Sequence, residues 1–169
     1  TGINNLGGLG FNPYDGYLYV SEPAPSKDVH RVDPGTGAVV STITMPSDGI
    51  LGIDFVHNKL FVNQPPHIVE ISPFNGLEVN RFMAPGTLLS AMAGGPAPTW
   101  TCRQDVLYSV NSERSSISVI DPNGGTFLHE FLAPVAANPP GAPPTFGGPE
   151  GLSHDGSKLN YISGDHPTK

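Results

Sequence analysis

Apolar residues along this chain come in short runs, and glycine, proline, asparagine and aspartate punctuate the gaps between them. The most apolar runs are Tyr17-Leu18-Tyr19-Val20, Lys59-Leu60-Phe61-Val62 and Val106-Leu107-Tyr108-Ser109-Val110. Apolar residues on both faces of so short a segment predict a strand buried on both sides. Before each of these lies a first strand (Gly8–Asn12, Leu51–Val56, about Leu88–Ala93). After each comes a third (Val29–Val32, Ile68–Ile71, Ile117–Ile120) and then a fourth (Ala38–Thr44, Leu77–Met83, Thr126–Leu132). The fourth runs differ in character: Glu78, Asn80, Arg81, His129 and Glu130 spread polar groups along them, as suits an exposed edge strand.

The spacing is periodic. Asp33-Pro34-Gly35-Thr36-Gly37, Ser72-Pro73-Phe74-Asn75-Gly76 and Asp121-Pro122-Asn123-Gly124-Gly125 share one turn pattern, and each turn proline is followed by another 12 residues on, at Pro46, Pro85 and Pro134. In such a turn Asp or Ser bonds the backbone ahead of it and Pro presets φ. The closing Gly takes the left-handed position of a bulged hairpin between third and fourth strands. Leu18, Leu60, Leu107 and Leu159 mark the second strands, with gaps of 42, 47 and 52 residues. Four-stranded units at this period, buried in the middle and polar at the rim, are the blades of an all-β propeller.

The predicted organisation is a single propeller segment. Blade one covers about 6–46, blade two about 50–85 and blade three about 88–134, followed by a Pro-rich connector over 135–149 and a half blade over 150–169. That makes about three and a half blades, fewer than closed rings contain. An open end leaves an apolar blade face in water, so the ring is expected to be completed by more chain, by a second copy, or by head-to-tail addition.

Composition narrows the partners. Net charge is −7, with eight Lys plus Arg scattered along the chain, which leaves no basic patch for nucleic acid or anionic membrane. No apolar run is long enough to span a membrane as a helix. One cysteine, Cys102, excludes an intrachain disulfide framework and carries no nucleophile signature. Sparse lysine, abundant Gly, Pro and Asn, and near-absent cysteine point to an extracellular or periplasmic protein.

Gly8-Leu9-Gly10-Phe11-Asn12-Pro13 with Gly16-Tyr17-Leu18-Tyr19-Val20-Ser21 resembles the repeat of the NHL, YVTN and streptogramin-lyase-like propellers. Gly148-Pro149-Glu150-Gly151-Leu152 with Asp155-Gly156-Ser157-Lys158-Leu159 is similar to the repeat of the same group and of gluconolactonase-like (SMP-30-type) propellers. The resemblance covers nearly the whole chain and implies the fold; such blades serve lactonases, lyases and binding modules alike. It also implies a metal ligand at Glu150, since gluconolactonase-like propellers hold a divalent metal in the central channel through a Glu in this segment. Asp54, on the first strand of blade two, adds a hard oxygen donor suited to Ca²⁺. The other copies have Gly7 and Gly49 where Glu150 aligns, so that set is incomplete.

Two insertions interrupt the repeat. Ala93–Gln104 holds Trp100, a hydrophobic plug or a stacking platform for a ligand or partner. Ala133–Pro149 reads as a stiff polyproline connector or as a lid over the ring. His30, His57, His67, His129, His154 and His166 show neither HxH nor HExxH spacing and are expected at surfaces and turns. The leading reading is a non-catalytic scaffold that binds a protein or small molecule, with no cofactor. The alternative is a metal-dependent lactonase or lyase using Glu150 and Asp54.

Overall fold

A computed structural model shows the chain as three four-stranded antiparallel sheets and one two-stranded sheet. It describes residues 3, 6–45, 50–86, 89–99, 104–111, 114–133 and 149–163. Blade one holds β1 (Leu9–Asn12), β2 (Tyr17–Ser21), β3 (Asp28–Val32) and β4 (Val39–Thr44). Blade two holds β5 (Ile53–Val56), β6 (Lys59–Gln64), β7 (His67–Ile71) and β8 (Glu78–Met83). In blade three these are β9 (Leu89–Pro96), β10 (Asp105–Asn111), β11 (Ser116–Ile120) and β12 (Phe127–Leu132). A half blade follows, with β13 (Pro149–His154) and β14 (Leu159–Ser163). Strands within each sheet lie in sequence order, and the first strands touch one another in the order β1, β5, β9, β13. This is the expected propeller segment, and the ring does not close.

The repeated turn works as its residues dictate. Asp33 and Asp121 accept the N–H two residues ahead at 2.8 and 3.0 Å, and Ser72 does so at 3.4 Å. Gly37, Gly76 and Gly125 take φ of +71°, +71° and +68°, and each donates its N–H to the carbonyl of the residue that opens the turn. A bulge follows at the same place in every blade, between Arg31 and Val32, Glu70 and Ile71, and Val119 and Ile120.

Second and third strands form the core. Every residue of β11 is buried, as is every residue of β6 and β10 after the first. The fourth strands are largely exposed and lie at the rim. One core layer sits between blades one and two, around Tyr19, Val29, Ile53, Phe55 and Leu60. Another, with Phe61, Ile68, Met92 and Leu107, fills the space between blades two and three, and a third joins blade three to the half blade.

The link inserted in blade three is shorter than the sequence predicts. β9 continues through Gly94 and Gly95 to Pro96, pairing with β10 as far as Asp105, and Ala97 donates its N–H to the Gln104 carbonyl. Two glycines lengthen this strand because the inner strands crowd one another: a side chain at Gly94 would meet the Phe55 backbone, and one at Gly95 would meet His154.

Candidate functional site

The four first strands converge on one cavity of about 340 Å³ at their N-terminal ends. Its wall is built from backbone and small or aliphatic side chains: glycines 7, 8, 52 and 151, Ser90 and Ser153, with Leu51, Ile53, Met92 and Leu152. The geometry of a propeller produces this lining. First strands narrow towards the axis, and only residues with little bulk let them meet. A Cβ on Gly52 would approach the Met92 nitrogen to 2.9 Å, and one on Gly8 the Ile53 nitrogen to 2.9 Å. The cavity therefore presents peptide groups, two hydroxyls, the Asn160 amide and apolar surface, which suits a small, mostly neutral ligand.

Asp54 lies beside Ile53 in β5, in the wall shared by three blades. Its Oδ2 accepts the Gly94 N–H from blade three at 2.7 Å, while Oδ1 faces Gly10 of blade one. Gly10 and Ala93 occupy the equivalent position in the neighbouring blades, so a carboxylate is accommodated only because both neighbours there are small. Burial raises its pKa to about 6, opposed by the N–H groups of Gly94 and Phe55. Asp54 thus acts as a clasp between first strands and is poised to change charge in mildly acidic conditions.

The other expected site residues divide by position. Glu150 falls within β13 at a bulge between Pro149 and Gly151, next to the cavity-lining Gly151; its side chain lies outside the described residues. Trp100 and Cys102 lie outside the described residues, as does the connector from 134 to 148. The histidines are more engaged than their spacing suggests. His57 Nε2 stands 2.5 Å from Asp105 Oδ2, joining blades two and three. His154 stacks on Tyr108 at 5.7 Å and accepts the Gly156 N–H at Nδ1. His30 meets Glu22 and Asp28, a grouping that no sequence spacing announced, since Glu22 joins it only through the register of the β2–β3 hairpin.

No protein-family model matches the sequence, and no curated protein is similar to it in sequence. Solved structures are similar in fold. Myxococcus xanthus glutaminyl cyclase superposes with a TM-score of 0.68 at 16% identity, over 92% of this chain and 66% of that one. Kuenenia stuttgartiensis hydrazine synthase gives 0.62 at 16% identity, over 96% of this chain and 43% of the other. The WD40 repeats of RRP9 give 0.56 at 15%, over 78% and 40%. The chain spans about two thirds of the first of these and about two fifths of the others, and the likeness at such identities is one of fold. Among the described residues no helix is long and apolar enough to cross a membrane.

Proposed function

We propose that this chain is a β-propeller scaffold for binding and assembly, working outside the cytoplasm. It presents the axial cavity to a small ligand, and its ring is completed through the open face of blade one. One comparison carries the assembly reading. Leu9 and Phe11 of β1 occupy the positions of Ile53 and Phe55 in β5, by their pairing to the second strands. In blade two, where blade one covers them, those residues are 1% and 7% exposed; in blade one, where no described blade covers them, they are 61% and 50% exposed. Hydrophobic side chains in a repeat position built for burial favour a covering blade, from a second copy or from more chain. Sparse lysine and a single cysteine favour the extracytoplasmic setting. Native mass spectrometry of the 169-residue chain tests assembly. A discrete assembly that falls to monomer in the Leu9→Asp/Phe11→Asp variant supports it. A monomer at every concentration removes self-assembly and leaves completion to more chain.

A metal-dependent lactonase or lyase is the second reading, resting on Asp54. A buried carboxylate between the first strands, next in sequence to the cavity-lining Ile53, is where a Ca²⁺-type ion would find a hard donor. The NHL-like and gluconolactonase-like likenesses of the sequence belong to this reading. It requires the Asp54 carboxylate to leave Gly94 or to share an oxygen. Ca²⁺ titration followed by melting temperature decides it: a saturable rise, absent in Asp54→Asn and Glu150→Gln, favours the enzyme, and a flat response favours the scaffold.

A further inference from the structure

We propose that Glu22, Asp28 and His30, none of which lines the axial cavity, form a divalent transition-metal site of the zinc type on the open face of blade one. The register of the sheet brings them together. Asp28 and His30 are two residues apart on β3 and so point to one face. Glu22 continues from β2 opposite Asp28, donating its N–H to the Asp28 carbonyl at 3.0 Å. One donor atom from each of the three side chains lies within 4.8 Å of the others. His30 Nε2 is 3.7 Å from Glu22 Oε1, and the two side chains are only 13% and 14% exposed. Ligand atoms around a tetrahedral zinc stand about 3.3 Å apart, so rotation of the Glu22 side chain and a small closure complete the triangle.

The surrounding groups are arranged as a metal site requires. Thr42 and Thr44 lie opposite His30 and Asp28 on β4. Thr42 Oγ1 is 2.9 Å from His30 Nδ1, and Thr44 donates its hydroxyl to Asp28 Oδ1 at 2.7 Å. When Nδ1 carries the proton and donates it to Thr42, the Nε2 lone pair is left for a metal. Nε2 itself is buried and has no hydrogen-bond partner, an expensive state for an imidazole nitrogen unless something coordinates it. Imidazole with two carboxylates suits zinc and its first-row neighbours, leaving a fourth position for water.

The other blades show that this is not a by-product of the repeat. The positions of Glu22, Asp28 and His30 are held by Gln64, His67 and Val69 in blade two, and by Asn111, Ser116 and Ser118 in blade three. Among the three described four-stranded blades, blade one alone carries the full donor set, and it does so on the face that also displays Leu9 and Phe11.

The test is titration of the metal-stripped 169-residue chain with Co²⁺, whose visible absorption intensifies in a four-coordinate site, and with Zn²⁺ by calorimetry. One equivalent of either metal is expected, with intense Co²⁺ absorption. Glu22→Gln and His30→Ala abolish it, Thr42→Val weakens it about 10–100-fold, and His67→Ala leaves it unchanged. Glu22→Gln is nearly isosteric and carries the test alone should His30→Ala fail to fold. Absence of stoichiometric uptake, or uptake undiminished in Glu22→Gln, overturns the proposal.

Discussion

Asp54→Asn isolates the electrostatic state of the contact between first strands. In the folded protein Asp54 ionises near pH 6, against 3.8 for an ordinary aspartate. A raised folded-state pKa means that folding favours the protonated form. Its contribution to stability is therefore complete below the unfolded value and is lost as pH rises towards and through 6. A gap of about two pKa units corresponds to about 3 kcal/mol at most, most of which is lost between pH 4 and pH 7. Asparagine keeps an oxygen for the Gly94 N–H and removes the titration. Urea unfolding of both proteins at several pH values reads the difference directly, and background from other carboxylates cancels. The variant is expected to gain about 2–3 kcal/mol relative to the parent between pH 4 and 7. A difference that stays flat across this range, or that changes in the opposite direction, refutes the buried-carboxylate argument. The opposite direction would mean a cation holds Asp54 ionised.

The three turn glycines offer an internally controlled series. Gly37→Ala meets nothing within 4 Å and is expected to cost about 1–2 kcal/mol for its left-handed φ alone. Gly76→Ala and Gly125→Ala carry the same φ and also drive a methyl into Ile43 and Phe82 of the preceding blade. Both should lower the melting temperature clearly more than Gly37→Ala; three equal losses would show that the turns do not pack between blades. If a second copy covers blade one, Leu9→Asp/Phe11→Asp should weaken self-association about 10²–10⁴-fold in sedimentation experiments, from about 1.5–3 kcal/mol for each buried side chain. Tyr19→Phe removes a hydroxyl that donates to Asp15 Oδ2 at 2.8 Å. It is expected to cost about 1.5–3 kcal/mol by urea unfolding, because a carboxylate accepts that bond. Burial and the Asp15 carboxylate push the Tyr19 phenol up to about 12, so its absorbance titration should begin later than that of an ordinary tyrosine.

Residues close in sequence made the blade legible. Asp33-Pro34-Gly35-Thr36-Gly37 specifies its own turn, the apolar content of β6 and β10 specifies burial on both faces, and polar Glu78 and Arg81 mark a rim strand. Each depends only on local backbone preference and a period of two, which short sequence patterns carry fully. Turn spacing then fixed the number of blades, and the count fixed an open ring. Other features needed blades stacked side by side. The extension of β9 into Gly94 and Gly95 follows from how closely β5 and β13 approach it, a distance no local pattern encodes. Asp54 is an ordinary acidic residue along the chain; its pKa is raised by burial in a fold that sets it against Gly10 of blade one and Gly94 of blade three. Glu22, Asp28 and His30 follow none of the metal-ligand spacings of helices and tight loops. Here hairpin register across β2 and β3 brings the donors together. Sequence alone determined the repeated unit, since its information lies within each strand and turn. Tertiary structure decided which residues face the axis, which meet between blades and which hydrophobic face stands uncovered, because contacts between blades depend on long-range packing.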